Sequence, residues 1–216
     1  WVQSLAASLP VKIAPMAFKE KIVLDVCCAP GGKSFQLADN GAILTSIDKS
    51  ERRLKLMKEN LDRLNYDLDL ICKDVFEYQP KKLFDIILLD PPCTATGTIG
   101  KNPDLQFLNP LDKLEELSDV QQNMLTRCAS WLQDDGYIIY SVCSLLKQEG
   151  EDQISRFLKK NKEFCLIHPQ KKGYLDQEGY ETNKESGIRI MPFFEEGLGG
   201  TEGFFIAYLH LKGKSN

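Results

Sequence analysis

The strongest constraint on this chain is a repeated alternation. Five short, mostly apolar, β-rich runs, "KIVLDV" (21–26), "AILTSI" (42–47), "DLDLIC" (67–72), "FDIILL" (84–89) and "GYIIYSV" (136–142), are separated by stretches of helical periodicity. Runs that are apolar almost throughout suit strands buried on both faces, which is the condition of a parallel sheet. The helices are expected at 33–39, 50–64 and 118–133, with another at about 148–160. In the second of these, Ser50 is a natural N-cap, and Leu54, Met57, Leu61 and Leu64 recur at helical spacing to form the buried stripe. Such alternation implies right-handed crossovers and a doubly wound α/β sheet, with its ligand site beyond the carboxyl ends of the strands. Near the end, "EFCLIH" (163–168) and "GFFIAYLHL" (203–211), joined by a Gly-rich stretch, read as a closing antiparallel hairpin. The expected sheet therefore has seven strands, mostly parallel.

A chain of 216 residues suits one such domain, spanning 1–216. It opens on Trp1 with a short polar lead, and is read as the trimmed C-terminal part of something longer. Seven cysteines with no CxxC spacing and no signal-like start are expected to be reduced cytoplasmic thiols, neither a disulfide framework nor a zinc site. No apolar run approaches the roughly 20 residues of a membrane span. The formal charge of -4 argues against strong nonspecific nucleic-acid binding by the chain as a whole. Two locally basic stretches, "KKNK" (159–162) and "QKKG" (170–173), read as solvated faces.

"LDVCCAPGGKS" (24–34) runs from a strand through a Pro-Gly-Gly turn into a helix, so that bare backbone N–H groups can face a ligand. A P-loop needs a glycine where this chain has Cys27, and no GxGxxG is present, so phosphate and dinucleotide readings lose ground. Asp48 ends the second strand, where an acid can accept from both ribose hydroxyls; the alternative is a turn acid or helix-cap neighbour. Asp74, after "LICKD", is either the partner of an adenine or a plain surface acid. A ribose acid without phosphate-binding glycines fits an adenosyl ligand lacking phosphate, namely S-adenosylmethionine.

Asp90, Pro91, Pro92 and Cys93 leave the fourth strand, and Cys143 leaves the fifth in "SVCS". Adjacent parallel strands lie about 5 Å apart, so two thiols at neighbouring strand ends can approach one substrate atom. The other five cysteines, Cys27, Cys28, Cys72, Cys128 and Cys165, are expected to be buried structural thiols.

"DVCCAPGGKS", "DPPCTATG", "YSVCSLLKQEGE" and "GTEGFF", in that order and spacing, resemble the S-adenosylmethionine-dependent RNA (cytosine-5) methyltransferases, including the bacterial enzymes acting on 16S ribosomal RNA. The resemblance implies a Rossmann-like class I methyltransferase fold and an RNA substrate, ribosomal RNA foremost, presenting an unpaired or flipped cytosine. It implies that Cys143 is the nucleophile, that Cys93 helps release the product, that Asp90 contacts the cytosine and that Lys33 stands near the active site. The cofactor set it implies is Cys28, Ala29, Pro30, Gly31, Gly32 and Lys33 of the turn, with Asp48, Arg53, Asp74 and Asp90 at the strand ends. In a dry pocket Asp90 is expected to carry a proton or share one with N3 of the base.

Family members also carry an N-terminal RNA-binding domain, so 1–216 is expected to hold the catalytic domain without it. The sequence departs from the family at Cys28 (usually Ala), at Ser34 and Val142 (Thr), at Thr94-Ala95 (Ser-Gly) and at Glu202 (Asp). An assembly factor that binds S-adenosylmethionine with little catalysis has no need of the full Asp90, Cys93 and Cys143 set. An amino-group methyltransferase working through "DPP" has no need of Cys143. A dithiol redox enzyme is disfavoured by the separation of the two cysteines in sequence. A monomer is the default expectation.

Overall fold

The structure, a computed structural model, describes residues 1–108, 110–169 and 178–213. The five apolar runs become β1 (Ile22–Val26), β2 (Ile43–Asp48), β3 (Asp69–Cys72), β4 (Phe84–Leu89) and β5 (Leu132–Val142), all parallel and in the spatial order β3-β2-β1-β4-β5. Strand order reverses between β1 and β4, and at such a reversal the connections diverge and leave a crevice at the carboxyl ends.

Each of the central strands sends alternate side chains to opposite faces. Leu24, Val26, Ile87, Leu89, Ile138 and Tyr140 pack beneath α4 (Leu114–Ala129) and α5 (Glu151–Lys160). Val23, Ile86, Leu88 and Ile139 face α1 (Leu5–Lys12) and α2 (Gly32–Asp39). α3 (Glu51–Leu64) matches the expected 50–64 helix: Arg53 N donates to the Ser50 hydroxyl at 3.4 Å, and Leu54, Met57 and Leu61 are buried. α1 carries Pro10, a residue that reads as a helix breaker, and was not expected from the sequence.

Several expectations are corrected. Among the described residues the sheet has nine strands, not seven. "EFCLIH" supplies β6 (Phe164–Ile167) and "GFFIAYLHL" supplies β9 (Phe204–Leu211), and the two pair antiparallel as expected. Between them, however, the chain forms a further hairpin, β7 (Tyr180–Asn183) and β8 (Gly187–Ile190). β9 lies antiparallel against β5, and its other edge is shared, with β8 taking Phe204 to Ile206 and β6 taking Tyr208 to Leu211. The helix expected at 118–133 runs instead from 114 to 129, because residues from Leu132 onward already pair with β4 through Phe84. Residues 170–173 lie outside the described residues. No helix among the described residues is long and apolar enough to cross a membrane.

Candidate active site

The turn after β1 is held by unusual backbone and by side chains behind it. Cys27 and Gly31 both have positive φ, and a Cβ on Gly31 would meet the Phe35 ring at 2.5 Å, so only glycine fits there. Beneath the turn Asp25 is 1% exposed, an acid inside an otherwise apolar strand. Ser34 Oγ donates to its Oδ2 at 2.5 Å, while Oδ1 has no hydrogen-bond partner. Burial pushes the Asp25 carboxyl up to about 7, against the pull of Ser34 and Lys33. Asp25, Cys28, Ala29, Pro30, Gly32 and Lys33 line one cavity, of about 480 Å³, which Asp90 also borders.

A second cavity, of about 420 Å³, opens on the other side of Asp90 and collects Asp48, Arg53, Asp74, Cys93 and Cys143. Its apolar wall is Val26, Ile47, Val75 and Met124. Asp48 is both a turn acid and a cap neighbour: Ala29 N donates to Oδ2 at 3.1 Å and Ser50 N to Oδ1 at 2.9 Å. Arg53 lies 3.5 Å from Asp48 Oδ2 and also donates to the Ala29 carbonyl, tying α3 to the turn. Asp74 accepts from Phe76 N at 2.9 Å.

The expected catalytic residues meet where β4 and β5 end side by side. Lys33 Nζ donates to Asp90 Oδ2 at 2.6 Å and sits 5.1 Å over the Phe204 ring, and Ser141 Oγ donates to Asp90 Oδ1 at 3.4 Å. Burial alone would lower the Lys33 pKa, but the adjoining Asp90 carboxylate outweighs it and the net shift is upward, so the ammonium is retained at neutral pH. Asp90 thus stands in an ion pair, with Lys33 as a proton-bearing neighbour that the sequence reading of Asp90 left out. The sulfur atoms of Cys93 and Cys143 are 3.5 Å apart. Cys93 is pushed well above the usual thiol range by its hydrogen bond to Cys143 and by burial, with the Glu149 charge adding to both.

Of the remaining cysteines, Cys28 and Cys128 are buried and Cys27 and Cys165 partly so, whereas Cys72 is exposed, against expectation, because it closes the edge strand β3. Ala95, at the position where the family carries glycine, adopts φ +56°, a left-handed conformation that an L side chain tolerates poorly. Sequence reasoning missed Asp25, whose signal was an acid inside an apolar run. It also missed Glu149, which sits fully buried behind the thiol loops. Arg189 of β8, the third omission, donates to the Ser144 carbonyl at 2.8 Å and pairs with Glu151 at 2.5 Å.

A doubly wound sheet with two cavities at its switch point and an acid-thiol cluster between its strand ends is the arrangement of a Rossmann-like methyltransferase domain. The chain belongs to the RsmB/F family of 16S rRNA methyltransferases, whose model matches residues 13–210. Members of that family use S-adenosylmethionine as methyl donor. Over 151 residues, 68% of this chain, it is 40% identical to the ribosomal RNA small subunit methyltransferase B of Shewanella oneidensis. Over 214 residues, 96% of this chain, it is 35% identical to the protein of the same name from Photorhabdus laumondii. These matches span 35% and 46% of the two relatives, so the chain covers less than half of either. A crystal structure of NSun6 from Pyrococcus horikoshii with SFG superposes with a TM-score of 0.82 at 27% identity, over 98% of this chain and 53% of that one.

Proposed function

We propose that this chain is the catalytic domain of an rRNA methyltransferase that moves a methyl group from S-adenosylmethionine to C5 of a cytosine through a covalent adduct on C6. The observation that carries the reading is the pair of sulfur atoms 3.5 Å apart beside the Lys33–Asp90 ion pair. Cytosine C5 is a poor nucleophile until a group adds at C6, and a thiolate both adds well and leaves well. Cys143 is assigned the attack. The Lys33–Asp90 pair, with its mobile proton, takes up charge at N3 and the exocyclic edge of the base as the ring loses aromaticity. Cys93, held as a thiol, is assigned to the last stage: a water takes the C5 proton, the C5–H electrons re-form the C5–C6 double bond, and the C6–S bond breaks with Cys143 leaving as the thiolate, to which the Cys93 S–H donates.

S-adenosylmethionine, when bound, supplies the electrophilic methyl group. The residues present fit it. Asp48 and Asp74 border a cavity with an apolar wall suited to a nucleoside, and the glycine turn leads into the N-terminus of α2. The unpartnered, buried Oδ1 of Asp25 is an acceptor for a cationic group such as the ammonium of an amino-acid tail. The thiols border a cavity rather than the outer surface, so the substrate base must be unpaired or turned out of its stack.

The test is a pair of variants incubated with S-adenosylmethionine and an unmodified 16S rRNA transcript. Cys143→Ala is expected to lose both methylation and adduct. Cys93→Ala is expected to accumulate a protein–RNA adduct that survives denaturing electrophoresis. The swapped pattern would place the nucleophile at Cys93, and full activity in both variants would reduce both thiols to structural roles.

A further inference from the structure

Glu149 has no exposed surface, yet it carries a carboxylate, and a buried acid persists only where donors surround it. Thr94 N donates to Oε1 at 2.9 Å, Gln121 Nε2 donates to the same oxygen at 3.0 Å, and Thr94 Oγ1 donates to Oε2 at 2.5 Å. Three donors thus converge on its two oxygens. Thr94 follows Cys93, and Glu149 lies six positions after Cys143, so this one side chain ties the loop of one thiol to the loop of the other. The tie is reinforced from both sides. Gln121 Nε2 also donates to the Pro92 carbonyl at 2.9 Å, and Tyr140 OH donates to the Glu149 carbonyl at 2.7 Å.

We propose that Glu149 is a positioning residue that ties the loop of Cys93 to the loop of Cys143 and places an acid behind Cys93, so that the two thiols divide the reaction between them. The division rests on the reading of Cys93 as the releasing group. Two adjacent cysteines at one cavity present a problem of identity, since either can attack. The Glu149 charge on the Cys93 side opposes a thiolate there, while Cys143, at the end of β5, has no such acid tied to its own loop. The hydrogen bonds from Thr94 fix the direction in which the Cys93 side chain leaves its loop, which is what release of a C6 adduct requires.

Glu149→Gln removes the charge and keeps the volume. Alkylation of Cys93 by iodoacetamide, followed across pH by peptide mass spectrometry, is expected to move to lower pH in the variant, while Cys28 and Cys128 stay protected as markers of an intact core. With S-adenosylmethionine and the 16S rRNA transcript, the variant is expected to resolve its adduct about tenfold more slowly than the parent, the size of one charge-assisted hydrogen bond. A purely structural role moves neither the profile nor the balance between adduct and product. If Cys93→Ala traps adduct while Glu149→Gln matches the parent in both measurements, the inference is overturned and the proposed function stands. If Cys93→Ala traps no adduct, the functional reading fails, and the alkylation profile alone decides for or against Glu149. Should Glu149→Gln expose Cys28 and Cys128, Thr94→Val takes its place: it keeps the backbone bond and removes the hydroxyl, and a folded Thr94→Val that resolves adduct at the parental rate overturns the proposal.

Discussion

Asp25 shows how far one residue can be driven from its solution chemistry. Its neighbours in β1, Leu24 and Val26, are buried, and the strand lies between β2 and β4, so the carboxyl is almost wholly removed from solvent and touches only the inner wall of the cavity. Burial raises its pKa from 3.8 to about 7, which means that the folded chain holds a proton that the unfolded chain releases. Between those two values the folded state binds more protons, so stability falls as pH rises through the window. Above it the full penalty applies, of the order of 4 kcal/mol. Asp25→Asn abolishes that titration. Urea unfolding of parent and variant should therefore show the variant gaining relative to the parent by roughly 3 kcal/mol more at pH 8 than at pH 5. An equal difference at both pH values would mean that Asp25 is already ionised in the fold.

The same contrast between what is local and what is assembled separates legible elements from hidden ones. β1, β2, β4 and α3 came through within a residue or so because each carries its own signal, apolar runs in the strands and a capped amphipathic stripe in the helix. Asp48, Asp90 and Cys93 stand at the carboxyl ends of β2 and β4, and Cys143 at that of β5, so their places, though not their roles, could be read with the strands. β7 and β8 were not. Each has four residues, "YETN" and "GIRI", and they hold their place through the free edge of β9 rather than through any pattern of their own. Yet β8 delivers Arg189 to the back of the Cys143 loop, where it pairs with Glu151 and donates to the Ser144 carbonyl. Both side chains of that pair are largely shielded, so Arg189→Leu leaves a carboxylate without its counter-charge. Loss of about 3 kcal/mol in chemical denaturation is the expected result. A variant as stable as the parent would mean that water replaces the guanidinium.

At the scale of the whole molecule, charge works against the proposed substrate. With 31 acidic and 27 basic side chains the chain carries a net -4, and RNA is a polyanion. The cations nearest the catalytic cluster are already engaged, Lys33 by Asp90 and Arg53 by Asp48. Lys49, largely exposed and 4.0 Å from Asp74, Lys73, and Arg63, which donates to Asn60 at 2.9 Å, border the two cavities where they can meet phosphates. A few such contacts give only a shallow electrostatic grip. Affinity for single-stranded RNA falls with salt at about 0.7 of a logarithmic unit per phosphate contact, so about three contacts correspond to a loss of roughly tenfold to twentyfold between 50 and 200 mM salt. Fluorescence anisotropy with a labelled 16S rRNA fragment should therefore show weak binding that fades over that range, while S-adenosylmethionine binding stays nearly constant because its cavity is built from hydrogen bonds and apolar walls. Lys49→Glu together with Lys73→Glu should flatten the salt dependence and raise KM for RNA with little change in kcat. Tight binding that ignores salt would instead assign RNA recognition to stacking or shape on a surface away from the two cavities.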